Sequence, residues 1–294
     1  MGEPVHRFPR YGIIGLVMVV LMMAAVGCGQ VPALAGFPWW QTTGWATPVC
    51  WWGYILLADA WLLRRKGASL LATRRPLLAL QCILSVAFWC LFEGYNRLMP
   101  GWRYINLDPN LSVRFLGYAI AFATIMPGMF LTAKLLQSYG VFANRQFGAV
   151  QWTAKKLKLS VLLGALCCFV PPFCPAGVRG YLWAFVWIGW VPLLEPFNYW
   201  RGGPSLFRDW ERGQWTRTLQ LATAGAICGL LWEFWNMWAY TKWEYIFPFP
   251  LAHWLRYFEM PLVGFLGFIP FALEYFVMFH FLASFFTRED KLGL

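Results

Sequence analysis

The chain has 294 residues, 60% of them hydrophobic and 13% charged, with a formal net charge of +11. Soluble domains carry about 25% charged residues, which excludes a water-soluble enzyme or binding module. The positive charge sits in short loops between apolar runs, with no long basic stretch interleaved with aromatics, so no nucleic-acid partner is expected.

Several apolar runs reach the roughly 20 residues that cross a bilayer as a helix. The expected fold class is all-α, a polytopic transmembrane bundle of about eight spans. The first covers about 11–27. AVGC ahead of Gly29 resembles a lipoprotein cleavage site, but Ala25 stands where leucine is usual, and the span is read as retained. A charge-free loop with Trp39-Trp40 suits the headgroup level. The second span, 46–63, leads into the basic loop RRKGASLLATRRP. The third, 77–96, carries Glu93 and is followed by a loop with Trp102-x-Tyr104. The fourth, 113–136, is expected to break at Pro127-Gly128. An amphipathic cytoplasmic linker at 141–158 separates a first unit, 1–140, from a second, 159–294. In the second unit, spans are expected at 159–173, 181–200, 218–239 and 259–286. The basic loop RGGPSLFRDWERGQW follows the sixth, and LWEFWNMW in the seventh leads to Trp243-x-Tyr245.

Lys and Arg collect on the cytoplasmic side of a membrane protein. With both termini inside, 18 of the 24 lie there; the exceptions are Arg97, Arg103, Arg114, Arg179, Lys242 and Arg256. This assigns an inner (cytoplasmic) membrane location and puts both W-x-Y loops on the outer face. The two units also match each other. Gly44-Trp45 pairs with Gly189-Trp190, GASL with GPSL, Arg114 with Arg256 and Pro127 with Pro270, at a near-constant offset. Two tandem four-span repeats, parallel in the membrane, are the expected organisation.

The candidate site follows from the duplicated acids. Carboxyls within a span are functional candidates by default, and Asp59, Glu93, Glu195, Glu233 and Glu274 qualify. Glu93 and Glu233 stand out because each has an asparagine three residues on, Asn96 and Asn236, on the same helix face. The amide is expected to hold the carboxylate in one rotamer. Glu233 lies among Trp232, Trp235 and Trp238, a setting for a proton donor near neutral pH. Only in the second unit does a further acid, Glu259, follow at the start of the next span. If one half works and the other supports, Glu233 is the working acid. Aromatic faces around an acid can hold a cation. Lipid and an apolar small molecule are the expected partners. No motif names a cofactor. No metal site is expected: the eight cysteines form no C-x-x-C, His6, His253 and His280 are scattered, and Glu233, His253 and Glu259 have no recognised ligand spacing. Nucleotide-binding and serine-hydrolase motifs are missing.

Each unit therefore sets an intramembrane acid before a W-x-Y loop and a proline-bearing span. This pattern resembles the integral-membrane lycopene cyclases and the small membrane terpene cyclases of fungal meroterpenoid pathways. The resemblance implies proton-initiated cyclisation of a polyene, with Glu93 and Glu233 as acids and Trp102, Tyr104, Trp243 and Tyr245 in the loop motif. The chain departs from the family's P-x-E-E motif: it reads Glu259-Met260-Pro261-Leu262 in the second unit and RFLGYAIAF, with no acid, in the first. Two alternatives use the same residues, an accessory subunit of a membrane complex and a proton-coupled transporter.

Overall fold

The computed structural model describes residues 7–31, 38, 42–248 and 255–286; His6, Trp39-Trp40 and His253 lie outside them. The first long helix, α1 (Arg10–Gly29), packs on α2 (Ala46–Lys66). Gly15 and Gly53 face each other there, and a Cβ on Gly53 would come within 2.7 Å of the Gly15 carbonyl oxygen. Small residues at such a crossing let two membrane helices approach closely. A short α3 (Leu70–Thr73) leads to α4 (Arg75–Leu98), strand β1 (Trp102–Ile105), α5 (Leu111–Phe122) and α6 (Ile125–Ser138). Then come α7 (Ala154–Phe169), short α8 (Ala176–Arg179), α9 (Trp183–Arg201), short α10 (Leu206–Glu211) and α11 (Thr216–Trp238). Strands β2 (Lys242–Tyr245), β3 (Arg256–Tyr257) and β4 (Met260–Pro261) precede α12 (Phe265–Ala283).

Among the described residues six segments are long and apolar enough to cross a membrane: α1, α2, α4, the α5–α6 pair, α7 with its 3-10 extension, and α12 with the turn before it. The chain is a multi-pass helical membrane protein. The remaining long helices, α9 and α11, are not among those six, and they pack centrally. α9 packs on α7 and α12, and α11 on α6 and α12. Their polar side chains Glu195, Asn198, Gln220, Glu233 and Asn236 are all buried, so they face protein and need no lipid compatibility.

Several expectations need correction. The fourth span does not break at Pro127-Gly128. The helix is interrupted at Ala123–Thr124, and Pro127 sits in the first turn of α6, where a missing N–H costs nothing. Ser85 bridges the interruption, donating to the Phe122 carbonyl (2.5 Å) and accepting from the Met126 amide (3.0 Å). Gly128 has a packing task instead, since a Cβ there would meet the Trp51 ring at 2.8 Å. The segment 141–153 contains no helix, and Lys155, Lys156 and Lys158 belong to the first turns of α7. Gly44-Trp45 does not correspond to Gly189-Trp190: the former lies in the turn before α2 and the latter in the middle of α9.

Two buried acids organise the loops at the end of the bundle opposite β1 and β2. α2 stops at Gly67 (φ 70°) and α9 at Gly202 (φ 86°), the left-handed conformation that ends a helix. The chain then doubles back onto an acid of the helix it has left. Asp59 accepts from Ser69 Oγ (2.7 Å), the Leu71 amide (3.0 Å) and the Tyr11 hydroxyl (2.7 Å). Glu195 accepts from Ser205 Oγ (2.6 Å) and the Leu206 amide (3.0 Å). These acids hold loops in place. Glu195→Ala would leave both donors without an acceptor at a fully buried site, destabilising the fold by about 2–3 kcal/mol. The thermal unfolding midpoint in detergent should fall, and fall less for Glu195→Gln, which keeps an acceptor oxygen. An alanine variant that melts with the wild type would contradict this role.

Candidate functional site

At the other end of the bundle, the segments leaving α4 and α11 form one antiparallel ladder. Trp102 pairs with Tyr245, Arg103 with Glu244, Tyr104 with Trp243 and Ile105 with Lys242. Alternation along a strand puts Trp102, Tyr104, Trp243 and Tyr245 on one face. Arg103 and Glu244 form an ion pair on the other (2.9 Å). The ladder joins the two halves of the chain through the W-x-Y segments themselves, which were expected to be loops and are strands.

The asparagines do not hold the acids. Asn96 accepts from the Gly101 and Trp102 amides (2.8 and 3.1 Å) and donates to the Trp102 carbonyl (2.9 Å). Asn236 accepts from the Trp243 amide (2.9 Å) and donates to its carbonyl (2.8 Å). Each amide thus satisfies both backbone groups of the strand tryptophan and pins the strand to the end of its helix. The carboxylates meet aromatic donors instead. Oε1 of Glu93 accepts from Tyr104 OH (2.7 Å), Trp102 Nε1 (3.0 Å) and Trp89 Nε1 (3.0 Å). Oε1 of Glu233 accepts from Tyr245 OH (2.7 Å), whose oxygen accepts from Trp243 Nε1 (2.9 Å).

The halves differ four residues before each acid, where α4 has Trp89 and α11 has Gly229. A Cβ at Gly229 would strike the Phe268 ring, so no larger side chain fits there. Among the described residues Glu233 Oε1 accepts from the Tyr245 hydroxyl, and Oε2, in a fully buried side chain, has no hydrogen-bond partner. Burial first, then the adjacent carboxylate, holds the Tyr104 and Tyr245 phenols well above the usual tyrosine range, so both keep their protons and stay donors.

A cavity of about 910 Å³ lies against this face. Its wall includes Trp102, Tyr104, Trp232, Trp243 and Tyr245. Glu93, Glu233, Asn96 and Asn236 do not line it; the acids stand behind the tyrosine rings. Trp235 is also off the wall, packed edge-on against Trp51 (5.0 Å, 90°), and Trp238 is partly exposed instead of covering Glu233. Glu259 sits in the turn between β3 and β4, ahead of the helix it was expected to begin, and forms an ion pair with Lys242. The wall also holds residues that sequence reasoning passed over: Trp51, Trp89, Trp187 and Phe271. Trp89 was legible, because position i−4 shares a face with Glu93. Trp187 is stacked on Phe92 (4.8 Å, 16°) from the other half and carries no such signal.

The asparagine clamps can be tested without knowing a ligand. Asn236→Ala removes both bonds to Trp243 and should destabilise the fold by about 1–2 kcal/mol. Hydrogen exchange at the Trp243 amide should rise well above its wild-type rate, with α1 and α7 unaffected; unchanged exchange would show that the clamp does not hold the strand.

Comparisons with protein-family models, with curated proteins and with solved structures found no match to this chain.

Proposed function

We propose that the chain is an eight-span inner-membrane protein of two four-span repeats whose cavity binds an apolar, isoprenoid-like ligand for proton-initiated rearrangement of an alkene. The observation that carries this reading is that the two phenols on the cavity wall, Tyr104 and Tyr245, each donate at 2.7 Å to an acid standing behind them. The matching acid, asparagine and W-x-Y hydrogen bonds in both halves favour the repeat, and the central place of α9 and α11 favours counting them as spans.

The cavity falls at the upper end of the usual range for small-molecule sites, and its wall is mostly aromatic and aliphatic. Ile188, Val263 and Leu266 line it and are exposed at the bundle surface, which gives an apolar ligand a sideways entry from the bilayer. Hydrogen bonding to Glu93 increases the electron density of Trp89, Trp102 and Tyr104, and electron-rich ring faces favour a cation.

In the catalytic step, Tyr245 gives its hydroxyl proton to an alkene carbon, and a C–H bond replaces the π bond. Glu233 enters this step protonated, so the resting hydrogen bond is reversed: the carboxyl proton passes to the phenol oxygen as the hydroxyl proton, turned toward the cavity, leaves. The resulting carbocation lies among the ring faces. Loss of a neighbouring C–H proton back through the phenol to Glu233 completes an isomerisation or cyclisation with no change in oxidation state. The uneven donor sets favour Glu233 as the working acid, since Glu93 Oε1 already serves three donors. This is the chemistry that the resemblance to membrane lycopene cyclases implies.

Mass spectrometry of lipid extracted from the purified protein tests both parts. One isoprenoid-like compound should be enriched over the surrounding membrane lipid. Glu233→Gln should carry its unrearranged precursor, with turnover down about 10²–10⁴-fold, and Glu93→Gln should lose less. An extract containing bulk phospholipid alone would contradict binding. Full turnover in Glu233→Gln would contradict the acid's role and leave binding standing.

A further inference from the structure

The cavity has a cationic corner that the acid and tyrosine pairs do not use. Among the charged groups on its wall and rim, Lys242 is paired with Glu259, Arg103 with Glu244 on the far face of the ladder, and Asp108, also on the wall, turns Oδ1 to the Asn110 amide. Arg114, in the first turn of α5, lines the cavity and has no carboxylate partner among the described residues. Its Nε and Nη2 both donate to the Asp108 carbonyl (2.9 and 2.8 Å). That fixes one edge of the planar guanidinium and leaves the Nη1–Nη2 edge without a partner among the described residues. Two parallel N–H groups in that arrangement match two oxygens of a phosphate.

The support under Arg114 is rigid. Asn106 takes a left-handed conformation (φ 53°) that few residues other than glycine adopt, and it is held from both sides. Its side chain donates to the Tyr240 carbonyl (2.9 Å), and its own carbonyl accepts from Thr241 Oγ1 (2.8 Å). Asp108 Oδ1 accepts from the Asn110 amide (2.8 Å), and Asn110 Oδ1 caps α5 at the Ser112 amide (3.0 Å). The loop that presents the Asp108 carbonyl is thus tied to both halves of the protein. A guanidinium that only reached for the membrane surface would need no such seat.

From this corner a track of rings runs inward. Tyr118 lies one helical turn beyond Arg114 and stacks on Phe122 (5.5 Å, 5°). Phe122 meets Trp89 (6.0 Å), Trp89 meets Phe271 (6.0 Å), and Phe271 meets Trp187 (5.3 Å). Tyr118 also touches Tyr104 (5.6 Å), so the track passes the Glu93 cluster. Arg114 to Phe122 alone spans about 12 Å along the helix, the scale of an extended prenyl chain.

We propose that the ligand carries a phosphate head, seated on the free edge of Arg114, with its apolar body laid along the Tyr118–Trp187 track. This rests on the cavity reading above and narrows its ligand class from apolar to amphiphilic. The head would fix which carbon of the body comes to the acid-backed tyrosines.

Tryptophan quenching in nanodiscs of zwitterionic lipid tests it with four probes: farnesyl phosphate, farnesol, inorganic phosphate and added phosphatidic acid. A charge-assisted fork should make farnesyl phosphate about tenfold or more tighter than farnesol. Arg114→Gln should bring that ratio to about one, and Arg114→Lys should retain part of it. Displacement of farnesyl phosphate by phosphatidic acid supports the head site with membrane lipid as its source; no displacement supports it with an isoprenyl phosphate. Equal binding of farnesol and farnesyl phosphate to the wild type would overturn the head site while the cavity reading stands. So would a ratio unchanged by Arg114→Gln, or inorganic phosphate competing at the concentration of the amphiphile. Binding of neither prenyl probe overturns the cavity reading and this inference with it.

Discussion

A carboxyl group near the end of a membrane helix must find hydrogen-bond donors close by, because the surrounding hydrocarbon supplies none. In this protein the segment that follows the helix supplies them. Glu93 and Glu233 each sit five residues before the end of their helix, and each receives a tyrosine hydroxyl from the strand that comes next. Meeting that demand brings both strands over the bundle end, where they pair with each other and close one face of the cavity. The asparagines complete the arrangement by tying down the strand backbone, which would otherwise leave buried amides and carbonyls unmatched. Remove the acids and the tyrosines have no reason to turn inward.

The same demand is met in a different way at the opposite end. Asp59 and Glu195 are as deeply buried as Glu233, yet serine hydroxyls and backbone amides saturate them. These four acids thus fall into two kinds, separated by what donates to them, whereas Glu274, also fully buried, receives neither a serine nor an aromatic donor among the described residues. Those satisfied by serine and backbone hold loops. Those satisfied by aromatic rings pass their charge to rings that face an open cavity. Within the second kind, with Trp89 in one half and Gly229 in the other, Glu93 has three donors and Glu233 one among the described residues. On the repeat proposed above, one saturated copy and one unsaturated copy would divide structural support from chemistry.

Much of this was legible in the chain before the structure. The helical class followed from the length of the apolar runs, and the importance of the two acid, asparagine and W-x-Y clusters from their recurrence. The role of the asparagines was misread, because helical spacing shows which side chains share a face but not that a strand folds back between them. The ladder itself was invisible: four-residue strands with partners in the other half leave no periodic signal. Gly128 and Pro127 read as a helix break because both disfavour helix interiors, whereas the glycine makes room for Trp51 and the proline occupies a first turn. From sequence, Arg114 read as a charge on the outer side and as a repeat match to Arg256. Its meaning depends on a carbonyl six residues away that sequence spacing does not orient.

The central claim is that the aromatic cavity between the halves, with its acid-backed tyrosines, is a binding site for an apolar ligand entering from the bilayer. Photolabelling with a benzophenone-tagged prenyl probe, followed by peptide mapping, tests it most directly. Labels should appear on cavity-wall peptides of both halves, around Tyr118 in α5, Trp187 in α9 and Val263 before α12, and should be displaced by untagged prenyl alcohol. Labelling spread over lipid-facing α1 and α7, with no displacement, would contradict the account.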